Sequence, residues 1–587
     1  MNTRLYKPLV TGVALAGVLG LALGAHLGEG AATSTQPARQ DLRVAALSNR
    51  AAYIPPQCYT KTQAEDGAVA NPCYTCHVES RSPNFIDDAE LQLGYGFPAY
   101  AQKNRWTNLW ADHSEATADV TDAALDAHVR RSNYFAPSGR VALAEALARP
   151  PAEWDADGDG RWSGYVPDAA FRFDDAGFDR AADGVPTGWR AYAYRPTPGA
   201  FWPTNGSTSD VLVRLAPELR QGDDGRWDEE VYRVNLAIVE ALIKREDVPL
   251  EPVDEARLQV DLDRDGQLGT ATRVAYRWAP LRGQDMSYVG RARRAQAEGR
   301  LHLAAGLFPE GTELLHTVRY LDVRADGQVG LAPRLKELRY AKKTRWRTFS
   351  ELEAAAAKET KEKSDFPDRL RDLAGAWSVE RGINTGKGWV YQGFIEDAQG
   401  DLRPQSFEEH VFCTGCHGGV GVTDDTVFSF GRKLSADGPR GGWYHWSQQG
   451  LDGVPDRLRG DGEGEYAFYL KTNRAGDELR ANDEVRARFL TPQGDLQPEA
   501  AARLAADVST VLFPSPERAR RLNRAYLGIV RTQSFAAGRD ALLAPAENVH
   551  RQVEEDEDTG IDAMVPAAWR RPAAAQLATP ASASPRR

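Results

Sequence analysis

The chain has 587 residues, enough at roughly 150 per domain for about three or four domains. Lys and Arg number 72 against 83 Asp and Glu, a net charge of −11 that argues against nucleic acid and anionic lipid as partners. Hydrophobic residues at 42% and charged residues at 26% fit a globular protein and exclude the disordered and many-spanning membrane classes.

At the N-terminus, Arg4 and Lys7 precede an uncharged apolar run from Leu9 to Ala25, followed by small residues. This pattern predicts a signal peptide over about residues 1–30, cut within Gly24 to Ala32, and an exported, periplasmic protein. A retained anchor is the alternative, disfavoured by the small residues of the run. No cysteine stands near the end of the run, so no lipid anchor is expected. No later stretch is apolar for long enough to span a membrane, so no span is expected after cleavage.

A first region over 45–150 holds Cys58 and the pentapeptide Cys73-Tyr-Thr-Cys76-His77. A second, expected to be mainly helical over 341–540, holds Cys413-Thr-Gly-Cys416-His417. Cys-x-x-Cys-His is the attachment pattern of c-type haem. Two thiols one helical turn apart add to the two porphyrin vinyl groups, and the adjacent imidazole reaches the iron. A zinc site would need four ligands from one cluster, and a redox dithiol has no use for a histidine in both copies. The reading is two covalently bound haem c groups, held by Cys73, Cys76, Cys413 and Cys416, with His77 and His417 as proximal iron ligands.

With these motifs, and with the stretches Tyr53-Ile-Pro-Pro-Gln-Cys-Tyr-Thr, Phe201-Trp-Pro-Thr-Asn-Gly-Ser and Glu408-Glu-His-Val-Phe-Cys-Thr-Gly-Cys-His, the chain resembles exported multi-motif c-type cytochromes, as a two-haem member. The resemblance implies periplasmic haem ligation and electron transfer. It departs from the di-haem peroxidases, whose motifs stand much closer together than the 340 positions separating Cys73 from Cys413.

Histidine outnumbers methionine among residues left for the distal iron position. His316, on a strand-like run where Leu314, His316, Val318 and Tyr320 share a face, is one candidate. His410 is a second; on a helix it lies about 10 Å along the axis from His417, so it cannot share that iron and would serve the other haem or a propionate. His128 is a further candidate for the first haem, His445 sits among aromatics, and His550 is the poorest. Cys58 reads as a buried thiol near the first haem. A resemblance to thiosulfate-oxidising di-haem enzymes implies instead a thiolate that ligates iron or holds sulfur.

Between the motifs, residues 151–340 show short β-like runs, Asp/Gly turns and many aromatics, and predict a β-rich middle domain. Two turns carry Asp-x-Asp-x-Asp-Gly: Asp155, Asp157, Asp159 and Asp261, Asp263, Asp265. Alternate carboxylates before a glycine turn converge on one hard cation, so these are candidate calcium loops, although Val166 and Thr272 replace the acid at position twelve. Further on, Ser350 with Glu353 predicts a capping box, Trp389 to Ile395 a strand, and Gly418 with Gly419 a stop to the motif helix. Helices are predicted near 464–473, 496–511 and 515–533. Residues 541–587 form a Pro/Ala/Ser and acidic tail expected to be disordered.

The expected fold is α+β, with helical haem-binding regions near both ends around the β-rich middle. No phosphate loop, nucleophile elbow or His-Glu-x-x-His occurs. The leading expectation is a periplasmic di-haem cytochrome carrying electrons between redox partners, docking a partner with a basic face. The alternative is a di-haem oxidoreductase acting on a small molecule such as a sulfur compound.

Overall fold

The computed structural model describes residues 41–199, 202–417, 430–436, 438–474 and 482–567. The apolar run and proposed signal, the glycines after His417 and the last twenty residues lie outside these. From Asp41 onward the chain forms one compact unit, not three or four domains.

The unit is mixed α/β, built on an antiparallel sheet. Its strands are β1 (Phe178–Arg180), β2 (Pro186–Tyr192), β3 (Thr208–Arg214), β6 (Glu313–Val323), β7 (Val329–Lys343), β8 (Trp377–Ser378), β9 (Gly382–Asn384), β10 (Trp389–Glu396) and β11 (Leu402–Pro404). The order is β1-β2-β3-β6-β7-β10-β9-β8, with β11 paired to β10. A separate hairpin joins β4 (Val248–Asp254) to β5 (Thr270–Val274). The long β6–β7 hairpin turns at Asp326-Gly327, where Gly327 takes φ +83 and the Asp326 carboxylate accepts the Gln328 amide at 3.0 Å. A left-handed residue there suits glycine, which has no Cβ to clash.

The expected fold class is therefore corrected. The sheet does not make a middle domain between two helical regions, because β8 to β11 come from the stretch assigned to the second of them. The first region is also not helical in the main. Short 3-10 turns dominate it, beside the helices Asp122–Arg130 and Ala142–Leu147, and Cys73–Thr75 is itself such a turn. Residues 541–567 are ordered too. Their backbone pairs with the first region through Ala546 N–H to Leu109 O at 2.7 Å, His550 N–H to Tyr59 O at 2.8 Å and Val553 N–H to Gln102 O at 2.9 Å. The composition of that tail is polar, but its amides find partners on distant loops that local reading does not reveal.

Later helices follow their sequence signals. The alanine-rich helix Phe349–Asp365 starts two residues earlier than expected, with Thr348 and Glu351 forming the capping box. Helices Glu465–Asn473, Pro498–Ala506 and Pro516–Thr532 follow. Ser515 caps the last of these, accepting the Arg518 amide at 3.2 Å, and Pro516 takes the first turn, where no N–H is needed. Its Leu522, Tyr526, Ile529 and Val530 recur at helical spacing and are buried against β6, contributing about 1.5–3 kcal/mol each. Asn523 fixes the register by bonding both the amide and the carbonyl of Leu321.

A buried ion pair ties the sheet's centre. Arg334 Nε lies 2.6 Å from Glu396, both fully buried, while the Tyr320 hydroxyl donates to the same carboxylate at 2.7 Å. Removing one partner leaves a desolvated charge, so Arg334→Met is expected to cost about 3–5 kcal/mol, read as a lowered urea midpoint. A midpoint equal to that of the parent protein would show that Glu396 needs no cation.

Candidate functional site

The two pentapeptides meet. Helix Phe407–His417 carries the second motif on its last turn, so Cys413, Cys416 and His417 leave it from neighbouring positions. Its first turn is clasped by the N-terminal segment, since the Glu408 carboxylate accepts the Ser48 amide at 3.0 Å, the Ser48 hydroxyl at 2.8 Å and the Asn49 amide at 2.6 Å. Phe412 packs edge-on against Trp106, with ring centres 5.7 Å apart. Gly415 sits directly under the backbone of Tyr53, where a Cβ would come within 2.0 Å of the carbonyl oxygen.

The first motif adjoins the same place. Cys76 and His77 amides both bond Cys73 O, at 3.1 and 2.8 Å, which makes one tight turn. Burial pushes the Cys416 thiol up to about 12, and the nearby thiols of Cys76 and Cys413 add to it. Cys58 is raised well above the ordinary thiol range, first by burial and then by Cys76, Cys416 and Cys73. Cys73 is pushed up to about 12 by burial and then by Cys76. Cys413 is raised by burial, against the pull of Arg339. All five cysteines are free thiols. Cys58 thus lies near thiols of both motifs.

His77 is oriented by a carboxylate that the sequence did not flag. Its Nδ1 lies 2.9 Å from Asp88 Oδ2, which directs Nε2 away from the acid. A carboxylate behind a ligand histidine sets its tautomer and raises its basicity. Asp88 is eleven residues downstream among ordinary acids, so spacing carries no signal for it.

His417 stands over the sheet, its ring centre 4.7 Å from Tyr391. Strand register puts Val211, His316, Arg339 and Gly393 in one row across β3, β6, β7 and β10. Tyr391 lies two residues before Gly393 in β10 and therefore on the same face. His316 lies close to His417, and Arg339 lies close to both and to Cys413. Burial drives His316 down to about 3 and His417 to about 4, with Arg339 adding to each, so both imidazoles are neutral at pH 7. His316, His417, Cys413 and Cys416 are all partly buried.

His410 plays another part than the one expected of it. Its Nδ1 donates to Ser406 O at 2.9 Å and its Nε2 accepts the Gly393 amide at 3.0 Å. Both ring nitrogens are occupied, Nδ1 at the start of its own helix and Nε2 in joining helix to sheet, and neither is left for iron. His128 meets Glu396 at 3.4 Å, and His445 is bonded to Asp210 at 2.7 Å and Ser447 at 2.6 Å. Neither is placed at the first motif.

The two Asp-rich loops share one wiring. Asp155 Oδ2 accepts the Gly160 amide at 2.8 Å and Asp261 Oδ2 that of Gly266 at 3.1 Å. Each loop is braced from outside by a buried glutamate at its second and ninth amides. Glu380 takes Ala156 and Ser163 at 2.8 Å each; Glu255 takes Leu262 and Gly269. Asp155, Asp157 and Asp159 converge, whereas the second convergent set is Glu255, Asp261 and Asp263, without Asp265.

Comparison with known proteins bears on the whole chain. A family model described as a "-like lipoprotein" matches residues 42–502. The chain belongs to this lipoprotein family. It is also similar to an uncharacterized lipoprotein of Aquifex aeolicus (strain VF5), 28% identical over 575 residues, covering 86% of this chain and 89% of the relative. No solved structure matches. The expected membership of the multi-motif cytochromes is thereby corrected: the matched family is a lipoprotein family. Membership makes the protein an exported, envelope-associated one. Among the described residues no helix is long and apolar enough to cross a membrane.

The close contact at Gly415 yields a test. Alanine would gain about 1 kcal/mol in helix propensity but would drive a methyl into backbone, at about 1–3 kcal/mol or more. Gly415→Ala is expected to lower the thermal midpoint; a raised midpoint would mean that Tyr53 and the helix are not in contact.

Proposed function

We propose that the protein is a periplasmic electron-transfer protein with two covalently attached haem c groups. The observation that carries this reading is the approach to one another of two Cys-x-x-Cys-His motifs 340 positions apart in sequence. The donor set fits the group: paired thiols on single turns, a histidine beside each, and a neutral imidazole near the second. Cys73 and Cys76 would hold one haem with His77 on its iron, and Cys413 and Cys416 the other with His417, His316 serving as second ligand. Bound haem supplies one-electron exchange. Asp88 keeps His77 in one tautomer and orientation, and Tyr391 supports the ring of His417. The net charge of −11 suits a redox partner with a basic docking face, whose association would weaken with salt.

Pyridine haemochrome analysis of protein matured in a haem-attaching host is expected to give two haems per chain. Each pair of Cys→Ser substitutions should remove one, and His316→Ala should turn one low-spin EPR signal high-spin. Asp88→Asn should raise the potential of the first haem, because a less basic histidine stabilises the oxidised iron less. Absence of haem from the matured protein would sink the reading.

For the Asp loops the accompanying proposal is structural calcium. Its support is the convergence of three carboxylates in each. Calcium added to chelator-treated protein should raise the thermal midpoint, and less so in Asp155→Asn; no shift would dismiss it.

A further inference from the structure

One stretch of the interior holds polar groups that fold without partners. In the segment from Tyr194 to Trp202, the Thr197 hydroxyl and the Trp202 indole N–H are buried with no hydrogen bond, and Tyr194 and Ser209 bring their hydroxyls together without a well-formed one. Both the N–H and the C=O ends of the Asn473 amide are in the same condition, in a side chain 2% exposed. An unmet buried polar group costs about 1–3 kcal/mol, so several in one neighbourhood call for a ligand.

Trp202 and Asn473 belong together in space, and Thr197 follows directly on the proline that binds the Asn473 helix. The Trp202 ring packs against Tyr466 and Tyr469, with centres 5.2 and 5.3 Å apart, and Asn473 is one helical turn beyond Tyr469 on the same face. The Tyr466 hydroxyl bonds Pro196 O at 2.8 Å, fastening helix Glu465–Asn473 to the segment. Strand alternation puts Ser209 on the His316 face of the sheet, and Arg339 is near Tyr194. The neighbouring Asp210 is already engaged by Thr317, Arg319 and His445.

The chemistry selects the ligand. An indole N–H can only donate, and hydroxyls and an amide NH2 add further donors, so against the single obligate acceptor, Asn473 Oδ1, donors are in the majority and the occupant must present chiefly acceptors. We infer that Trp202, Asn473, Thr197 and Tyr194 form a buried binding site for a carboxylate or small oxyanion, on the His316 side of the sheet. Two sources share that chemistry: a propionate of a bound haem, which rests on the function proposed above, or a free anion, which does not.

Calorimetric titration of the full-length protein with sulfate and with acetate, alongside resonance Raman spectra of the haem-loaded protein, separates them. Asn473→Leu keeps the branched shape and Trp202→Phe keeps an aromatic ring while each removes the polar atoms, and circular dichroism confirms their folding. Saturable binding of one anion per chain, weakened about tenfold by either substitution, identifies a free oxyanion. No anion binding, with propionate bending modes that shift in both variants, identifies the haem carboxylate. If neither is seen, ordered water satisfies these groups and the inference is overturned. A chain found to carry no haem would defeat the proposed function, while the anion titration would still decide this one.

Discussion

The contact of helix Phe407–His417 with the N-terminal segment is the constraint on which the candidate site depends. Three donors from Ser48 and Asn49 converge on one carboxylate of Glu408, and Gly415 lets the Tyr53 backbone lie directly on the helix. Charge-assisted bonds of this kind are about twice as strong as neutral ones, and here they join residues some 360 positions apart. The consequence is chemical as well as mechanical. Cys76, Cys416 and Cys58 thereby become neighbours, although they come from segments far apart in sequence.

The sheet supplies the other wall. Its period of two puts His316, Arg339 and Tyr391 on the face that meets His417, although they come from three different strands. Charge is managed locally. Glu337, held at about 2 against the upward push of burial by Arg339 and Arg539, accepts from both guanidiniums. His410, buried and driven down to about 4, stays neutral and spends both nitrogens on backbone groups. A neutral imidazole of this kind is a connector between helix and sheet. Of the histidines weighed for the distal position, His316 is therefore the one that the fold sets beside a motif.

The Asp-rich loops show how far a local pattern reaches. Alternating aspartates with a glycine turn were legible, and the absence of an acid at position twelve was legible too. The glutamates that brace the loops were not, because Glu380 stands more than 200 residues beyond its loop and Glu255 precedes its own. The ordered tail is a parallel case. Its amides bond to loops formed by residues 59–109, and no period or composition within the tail encodes that pairing.

The two pentapeptides, the strand that carries His316, the later helices and the export signal could all be read in the chain, because each rests on spacing within about ten residues. Turn geometry, strand alternation and helical periodicity are short-range properties of the backbone. The meeting of the motifs, the carboxylate behind His77, the engagement of His410 and the partnerless groups around Trp202 and Asn473 could not be read there. Each is a contact between residues far apart in sequence, settled only when helix, sheet and N-terminal segment pack together and side chains compete for the same buried partners.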